Sequence, residues 1–143
     1  GNAKAQYMLG GMYSEGIGGV QDLRKAVKWY RLAAEQGDAK AQHQLGVVYH
    51  FGRGVPQDYK EAVKWSKVAA EQGLAEAQYN LGLMYYHGEG IPQDYVLAYM
   101  WWNLSGSQGQ KSARENRDIL EGEMTQQQVA KAQEMARSWK PKK

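Results

Sequence analysis

The chain of 143 residues has the length of one domain, and 18 Lys and Arg against 15 Asp and Glu leave a net charge of only +3. Because these charges are scattered rather than clustered on one face, they argue against a nucleic-acid-binding protein. The absence of cysteine excludes disulfides and cysteine-based zinc sites. Residues 95–110 carry no charged side chain, but they are too few and too polar to insert into a membrane.

Three consecutive segments of 36 residues repeat one another without gaps, at residues 1–36, 37–72 and 73–108, and 14 positions are identical in all three. A fixed period of this length is typical of a solenoid, in which each unit is one supersecondary element stacked on the next. We therefore predict a single repeat domain over residues 1–143, in which residues 109–143 form C-terminal capping helices.

The first half of each repeat predicts a helix. In the middle copy Ala41, Leu45 and Val48 recur at the helical period and form one apolar face. Asp38 is the expected N-cap, and Gly52 the glycine that ends the helix. Asn2 is the N-cap expected in the first copy, and Gly16 and Gly88 are the other terminating glycines. The glycines at positions 10, 46 and 82 lie off the apolar face, where they would let a second helix approach closely.

A turn and a second helix complete the repeat. In the middle copy the loop "GRGVPQD" carries glycine and proline as turn residues. Asp58 is the expected N-cap of the second helix, as are Asp22 and Asp94 in the other copies, and Glu61 would complete a capping box with Asp58. The first copy reads "GIGGVQD", which lacks the proline and moves the valine by one position, so a looser turn is expected there.

The pattern A-x-A-Q-x-x-L-G-x-M-Y-x-x-G-x-G-[VI]-P-Q-D-Y-x-x-A-x-x-W resembles the Sel-one-like repeat (SLR), a relative of the tetratricopeptide repeat. The match covers residues 1–108 closely. The resemblance implies an all-α fold, a right-handed α-solenoid of antiparallel helix pairs with about four hairpins and eight helices. It also implies a protein-binding adaptor, common in bacteria and usually without catalysis.

The end of the chain predicts two capping helices. Residues 110–121 form the first, with Ile119 and Leu120 in the apolar positions of its inner side. The second spans residues 126–139, with Thr125 as N-cap and Gln128 completing a capping box. Its apolar face is expected to cover the outer side of the third repeat. The alternative is an exposed apolar patch that awaits a partner.

The last helix is expected to pack on the third repeat because the outer side of the second helix changes its side chains there. Positions that hold Arg24, Lys28 and Arg31 in the first copy and Lys60, Lys64 and Lys67 in the second hold Val96, Met100 and Asn103 in the third. The charge is lost where the last helix would pack.

A stripe of residues opposite the apolar face of each first helix differs between the copies while the apolar face does not. We call it the variable stripe and predict that it lies on the concave side and binds a segment of a partner protein. It consists of Lys4, Tyr7, Lys40, His43, Val47, His50, Glu76, Tyr79, Leu83 and Tyr86. Tyr and His would donate hydrogen bonds, Val47 and Leu83 would make apolar contacts, and Lys40 would pair with acidic groups. The alternative is that neighbouring first helices bury much of the stripe.

No catalytic, cofactor or metal site is predicted. His43 and His50 share one face, but no third ligand accompanies them at an obvious spacing. The alternative function is an enzyme or a regulatory arm of one, because some relatives have carried a β-lactamase label. This chain lacks both their cysteines and an S-x-x-K motif.

The chain begins on the first residue of a repeat, without an initiator Met or a signal peptide. We therefore expect it to be part of a longer protein. The start of the repeat array shows no capping segment that matches the one at its end, so the first helix is expected to have an unpaired outer side. This favours truncation, self-association through the first repeat, or both. Localisation stays open: periplasmic or secreted if a signal peptide has been removed, cytoplasmic otherwise.

Overall fold

A computed structural model describes residues 2–142 of the chain, which form eight α-helices and no β-strand. The helices are α1 (Ala3–Glu15), α2 (Leu23–Glu35), α3 (Ala39–Phe51), α4 (Tyr59–Glu71), α5 (Ala75–His87), α6 (Tyr95–Ser107), α7 (Lys111–Glu121) and α8 (Gln126–Ser138). The chain divides into two compact units, the first ending at Ala69 and the second beginning at Ala70.

The first unit is held together by a core in which α2 contacts both α1 and α3. Ala41, Leu45 and Val48 are buried, so the predicted apolar face of α3 is confirmed. The core cluster consists of Ala26, Val27, Tyr30, Ala33, Ala34, Ala41, Leu45, Val48 and Trp65. Alanines make up four of these nine residues, which lets the helices pack closely.

The predicted helix ends are confirmed. Asp38 accepts a hydrogen bond from the Ala41 amide, and the side chains of Asn2, Asp22 and Asp94 cap their helices in the same way. Gly52 adopts the left-handed conformation with φ 68°, as do Gly16 and Gly88 with φ 74° and 72°. Only glycine takes up this conformation without steric strain, so it stops each first helix at the same place.

The capping box predicted for Asp58 and Glu61 forms only in part. The Asp58 carboxylate accepts from the Glu61 amide at 3.2 Å. The Asp58 amide, however, donates to the Tyr49 carbonyl at 2.9 Å and is therefore not left for the Glu61 side chain. The same bond joins Asp22 to Tyr13 and Asp94 to Tyr85, so it ties the start of each second helix to the end of the first.

The glutamine that precedes each N-cap aspartate has a role that was not predicted from the sequence. Gln57 donates from its side-chain amide to the His50 carbonyl at 2.8 Å. Gln21 and Gln93 make the equivalent bonds to Ser14 and Tyr86. Each glutamine thus satisfies one of the carbonyls left open at the C-terminus of the first helix.

The first loop differs from the others where its sequence does. Val55 of the second loop packs against the core of the first unit. The displaced Val20 of the first loop is 85% exposed, and Ile17 is also exposed. The one-position shift therefore removes the apolar contact that anchors this loop.

The glycines predicted to permit close helix approach do so. A Cβ atom at Gly10, Gly46 or Gly82 would fall less than 3.0 Å from a side chain of the paired helix. The opposing residues are Tyr30, Ser66 and Trp102 respectively. The glycine is constant, and the residue it faces differs in each copy.

In the second unit α6 is the central helix, because α5, α7 and α8 all contact it. The prediction that the last helix covers the outer side of the third repeat is confirmed: α8 lies against α6, and Met100 is buried. The rings of Trp101 and Trp139 meet edge to face with centroids 5.9 Å apart. Thr125 and Gln128 form both halves of the predicted capping box.

One detail of the capping region is wrong in the prediction. Leu120 is buried as expected, but Ile119 is 70% exposed. In an α-helix, adjacent residues point in directions about 100° apart, so both could not face the same narrow interior. Ile119 belongs to the solvent side of α7.

Candidate protein-binding surface

In the first unit the variable stripe is partly accessible. Lys4 and Lys40 are exposed, and Tyr7, His43, Val47 and His50 are half-buried. The Tyr7 ring lies 5.8 Å from the Tyr30 ring, centroid to centroid. His50 contacts the rings of Phe51 and Tyr59 at 4.6 and 5.2 Å.

In the second unit the stripe borders the capping helix α7. Glu76 is exposed, and the other three residues are half-buried. The Tyr79 carbonyl accepts from the Trp102 indole N–H at 3.1 Å, and its hydroxyl accepts a long bond of 3.5 Å from Asn116. Leu83 and Tyr86 face an open pocket between α5, α6 and α7.

This pocket has a volume of about 200 Å³ and is lined by both apolar and polar side chains. It is lined by Leu83, Tyr86, His87, Trp102, Asn116, Ile119, Leu120 and Glu123. We call it the Tyr86 pocket. Its lining includes the exposed Ile119, which extends the apolar surface of Leu83.

The Tyr86 ring is held by its neighbours in a defined position. It stacks on Tyr95 with an interplanar angle of 13° and a centroid separation of 5.3 Å. It is tilted against Trp102 at 5.6 Å. Its hydroxyl donates to the Glu123 carboxylate at 3.3 Å, and the negative charge of Glu123 is the main reason why the pKa of Tyr86 is raised.

A second tyrosine and glutamate pair fixes the turn that carries Glu123. The Tyr99 hydroxyl donates to Glu121 at 2.8 Å and accepts from Gln133 of α8 at 3.3 Å. Burial raises the pKa of Tyr99, and the hydrogen bond to Glu121 raises it further. Glu121 before the α7–α8 turn and Gln133 after it thus both bond to Tyr99. These contacts flank Glu123, whose carboxylate reaches the pocket.

Leu83 and Tyr86 were predicted from the sequence as part of the stripe, whereas the pocket residues contributed by α6, α7 and the following turn were not. Trp102, Asn116, Ile119 and Glu123 belong to that group. The repeat register carried a signal for one of them, because Ile119 occupies the position of Val47 and Leu83 in the incomplete fourth unit. The position of Glu123 depends on the tertiary fold of a non-repeated turn, and no periodicity indicates it.

No cluster of three or more His, Asp or Glu side chains able to hold a metal ion is found within residues 2–142. Over the same range, no helix combines the length and the apolar character required to cross a bilayer.

The three helix pairs from α1 to α6 have helices of equal length, and the first helix of each pair ends at a left-handed glycine. This repetition defines an all-α solenoid repeat protein. The sequence match then gives the family. The Sel1 repeat model matches residues 3–38, 39–74 and 75–110, and the chain belongs to the Sel1 repeat family.

Two solved structures are similar to this chain. One is a protective antigen of uropathogenic Escherichia coli that displays an SLR fold: it is 38% identical, with a TM-score of 0.90 over 97% of this chain and 30% of the antigen. The other is a Sel1 repeat protein from Oxalobacter formigenes, 36% identical, with a TM-score of 0.80 over 82% of this chain and 49% of that protein. The chain thus spans less than half the length of either protein. No curated protein sequence matches it.

Proposed function

We propose that this chain is a non-catalytic scaffold that binds a segment of a partner protein through the variable stripe. Sel1 repeat proteins commonly mediate protein interactions, which supports the general role. The observation that carries the assignment to this surface is the Tyr86 pocket, because two stripe residues, Leu83 and Tyr86, open into it.

The different roles of the identical and the variable positions in the repeat also support the proposal. The identical positions supply caps, close-approach glycines and buried apolar side chains. The stripe positions differ between copies and keep part of their surface accessible. Tyrosine and histidine present a large apolar body with a polar edge, which suits a recognition surface that must both exclude water and form hydrogen bonds.

The test is partner capture from an extract of the source organism with the triple variant His43→Ala, Tyr79→Ala, Tyr86→Ala. We expect partner recovery to fall at least about tenfold, equivalent to ~1.4 kcal/mol of binding free energy. Far-UV circular dichroism should remain that of the unsubstituted chain, because the substituted side chains are only half-buried.

The matched control is Lys28→Ala, Lys64→Ala, which alters exposed residues on the outer sides of α2 and α4. Capture should persist in this variant. If the control loses the partner and the triple variant keeps it, the outer surface is the binding site and the proposal is wrong.

The proposal that the scaffold is non-catalytic has its own test. Purified protein should not hydrolyse nitrocefin above the buffer rate. Turnover that survives purification and disappears when a single polar residue is replaced would make the chain an enzyme.

Self-association through the first repeat stays a prediction. Met8 and Met12 of α1 are 57% and 42% exposed, which is unusual for a pair of large apolar residues one helical turn apart. If they form a contact between copies, sedimentation should show concentration-dependent association that Met8→Lys, Met12→Lys removes. A monomer at every concentration would contradict the prediction.

A further inference from the structure

We propose that the Tyr86 pocket binds an arginine side chain of the partner segment. This inference rests on the proposed scaffold function and specifies the chemistry that one part of the stripe recognises. Three properties of the pocket support it: its size, its apolar walls and its single carboxylate.

The size of the pocket suits one side chain. Its volume of about 200 Å³ lies below the ~300–1,000 Å³ of typical small-molecule sites. The pocket is also open to solvent at the surface of the second unit, since Ile119 on its wall is 70% exposed. A side chain that projects from an extended or helical peptide could enter it without rearrangement of the helices.

The walls suit a long aliphatic stem. Leu83 and Ile119 supply accessible apolar surface to the pocket, and the buried side chains of Leu120 and Trp102 complete its apolar lining. Arginine and lysine bury their methylene groups along such surface while the charged head stays near solvent. A short polar side chain would leave these walls in contact with water.

The charge in the pocket lining favours a cation. Glu123 is the only carboxylate in the pocket lining, and no Lys or Arg of the described chain lines it beside Glu123. The Tyr86 hydroxyl donates one bond of 3.3 Å to Glu123. A carboxylate offers about four lone-pair positions, so it can accept further bonds from a ligand.

The other polar groups do not neutralise this carboxylate. Arg117, the basic residue of α7 closest in sequence, donates to Asp118 and to Asn103. His87 and Asn116 complete the polar lining. The Glu123 carboxylate therefore accepts its hydrogen bond from the neutral Tyr86 hydroxyl rather than from a cation.

The aromatic rings favour arginine over lysine. Trp102 is only 2% exposed and one face of Tyr86 stacks on Tyr95, so the half-buried Tyr86 ring is the aromatic surface that a ligand can reach. A planar guanidinium can lie against this ring while it pairs with the Glu123 carboxylate through two N–H groups. An ammonium group is a compact, strongly hydrated charge and gains less from a planar face.

The test is a titration of the full chain with N-acetyl-arginine amide, followed by NMR at the Trp102 indole N–H and the Ile119 methyl groups. N-acetyl-citrulline amide is the matched ligand, because it has nearly the same shape and no charge. We expect millimolar binding of the arginine probe at both signals and at least about tenfold weaker binding of citrulline, a difference of ~1.4 kcal/mol.

Glu123→Gln should remove this preference, since it keeps the shape of the side chain and deletes its charge. Glu115→Gln is the control, because Glu115 is an exposed carboxylate of α7 that lies outside the pocket lining and pairs with Lys111 at 3.9 Å. Equal binding of the two probes, equal effects of the two variants, or no shift at Trp102 and Ile119 would each overturn the assignment.

These results separate the pocket from the wider function. If the probe fails and the triple stripe variant still abolishes partner capture, the arginine assignment falls and the scaffold remains. If the probe binds as expected and capture survives the triple variant, the pocket chemistry stands and the proposed scaffold surface falls.

Discussion

The α3–α4 and α5–α6 pairs both pack closely at a glycine in the same repeat position, but the residue that faces this glycine differs between the two pairs. Gly46 faces Ser66, a small buried side chain whose hydroxyl has no hydrogen-bond partner within the described chain. Gly82 faces Trp102, whose indole reaches the Tyr79 carbonyl and contacts Tyr86. The constant glycine sets how closely the helices approach. The residue opposite it decides whether the stripe gains a rigid aromatic wall.

The outer sides of α2 and α6 show the same principle. Lys28 and Met100 occupy equivalent positions, 72 residues apart. Lys28 is exposed, whereas Met100 is buried in the unit where α8 packs on α6. One repeat backbone therefore supports a solvated surface or an internal interface, depending on a few side chains.

The largest expected effect on stability comes from placing at position 100 the residue type found at position 28. Met100→Lys restores the residue type of the other repeats but places a charge in an apolar contact. We expect it to lower the free energy of unfolding by about 3 kcal/mol or more. Urea denaturation followed by tryptophan fluorescence measures the loss, because Trp101 and Trp139 lie together in this region.

Lys28→Met is the matched exchange and should change stability by no more than about 0.5 kcal/mol, since Lys28 is exposed. Equal costs for the two substitutions would contradict the assignment of α8 to the outer side of α6.

A smaller effect is expected at the close-approach glycines. Gly82→Ala should destabilise the protein by about 1–3 kcal/mol, because the added methyl would overlap the Trp102 ring. Gly11→Ala is the control: its Cβ would meet only the Tyr30 hydroxyl at 3.8 Å. It should be neutral or raise stability by up to about 1 kcal/mol through helix propensity. The midpoint temperatures of thermal unfolding of both variants, each compared with that of the unsubstituted chain, measure the two effects.

The middle helix pair should tolerate the same change better. The new methyl of Gly46→Ala would overlap chiefly the Ser66 hydroxyl oxygen. We expect a cost of about 1 kcal/mol, most of which Ser66→Ala should recover in the double variant. If the double variant is no more stable than Gly46→Ala alone, the hydroxyl is not the obstacle.

Much of this architecture could be predicted from the sequence because the repeat imposes it three times. Asp38, Gly46 and Gly52 were each assigned a role from their type and spacing, and the structure confirms those roles. Periodicity could not reveal contacts that occur once. The Glu123 bond to Tyr86 depends on the turn after α7, and the helical direction of Ile119 depends on where the repeat is interrupted.

The smallest expected effect is electrostatic. The pKa of Tyr86 is raised chiefly by the Glu123 charge, which disfavours the phenolate. Glu123→Gln should therefore lower the pKa of Tyr86, so that its phenol ionises at a lower pH than in the unsubstituted chain. NMR titration of the labelled tyrosine ring carbon measures this.

Glu121→Gln should instead lower the pKa of Tyr99, because the hydrogen bond to Glu121 contributes to its rise. If both variants shift the same tyrosine, the pairing of Glu123 with Tyr86 and of Glu121 with Tyr99 is not present in solution.

The central claim is that repeated residues hold the helix pairs while the variable stripe selects the partner. Its most direct test compares the affinity of a captured partner for the unsubstituted chain, the His43, Tyr79 and Tyr86 alanine variant, and the Lys28 and Lys64 alanine variant. The account predicts at least an approximately tenfold loss for the stripe variant alone, with all three chains equally helical. Equal affinities for all three would contradict it.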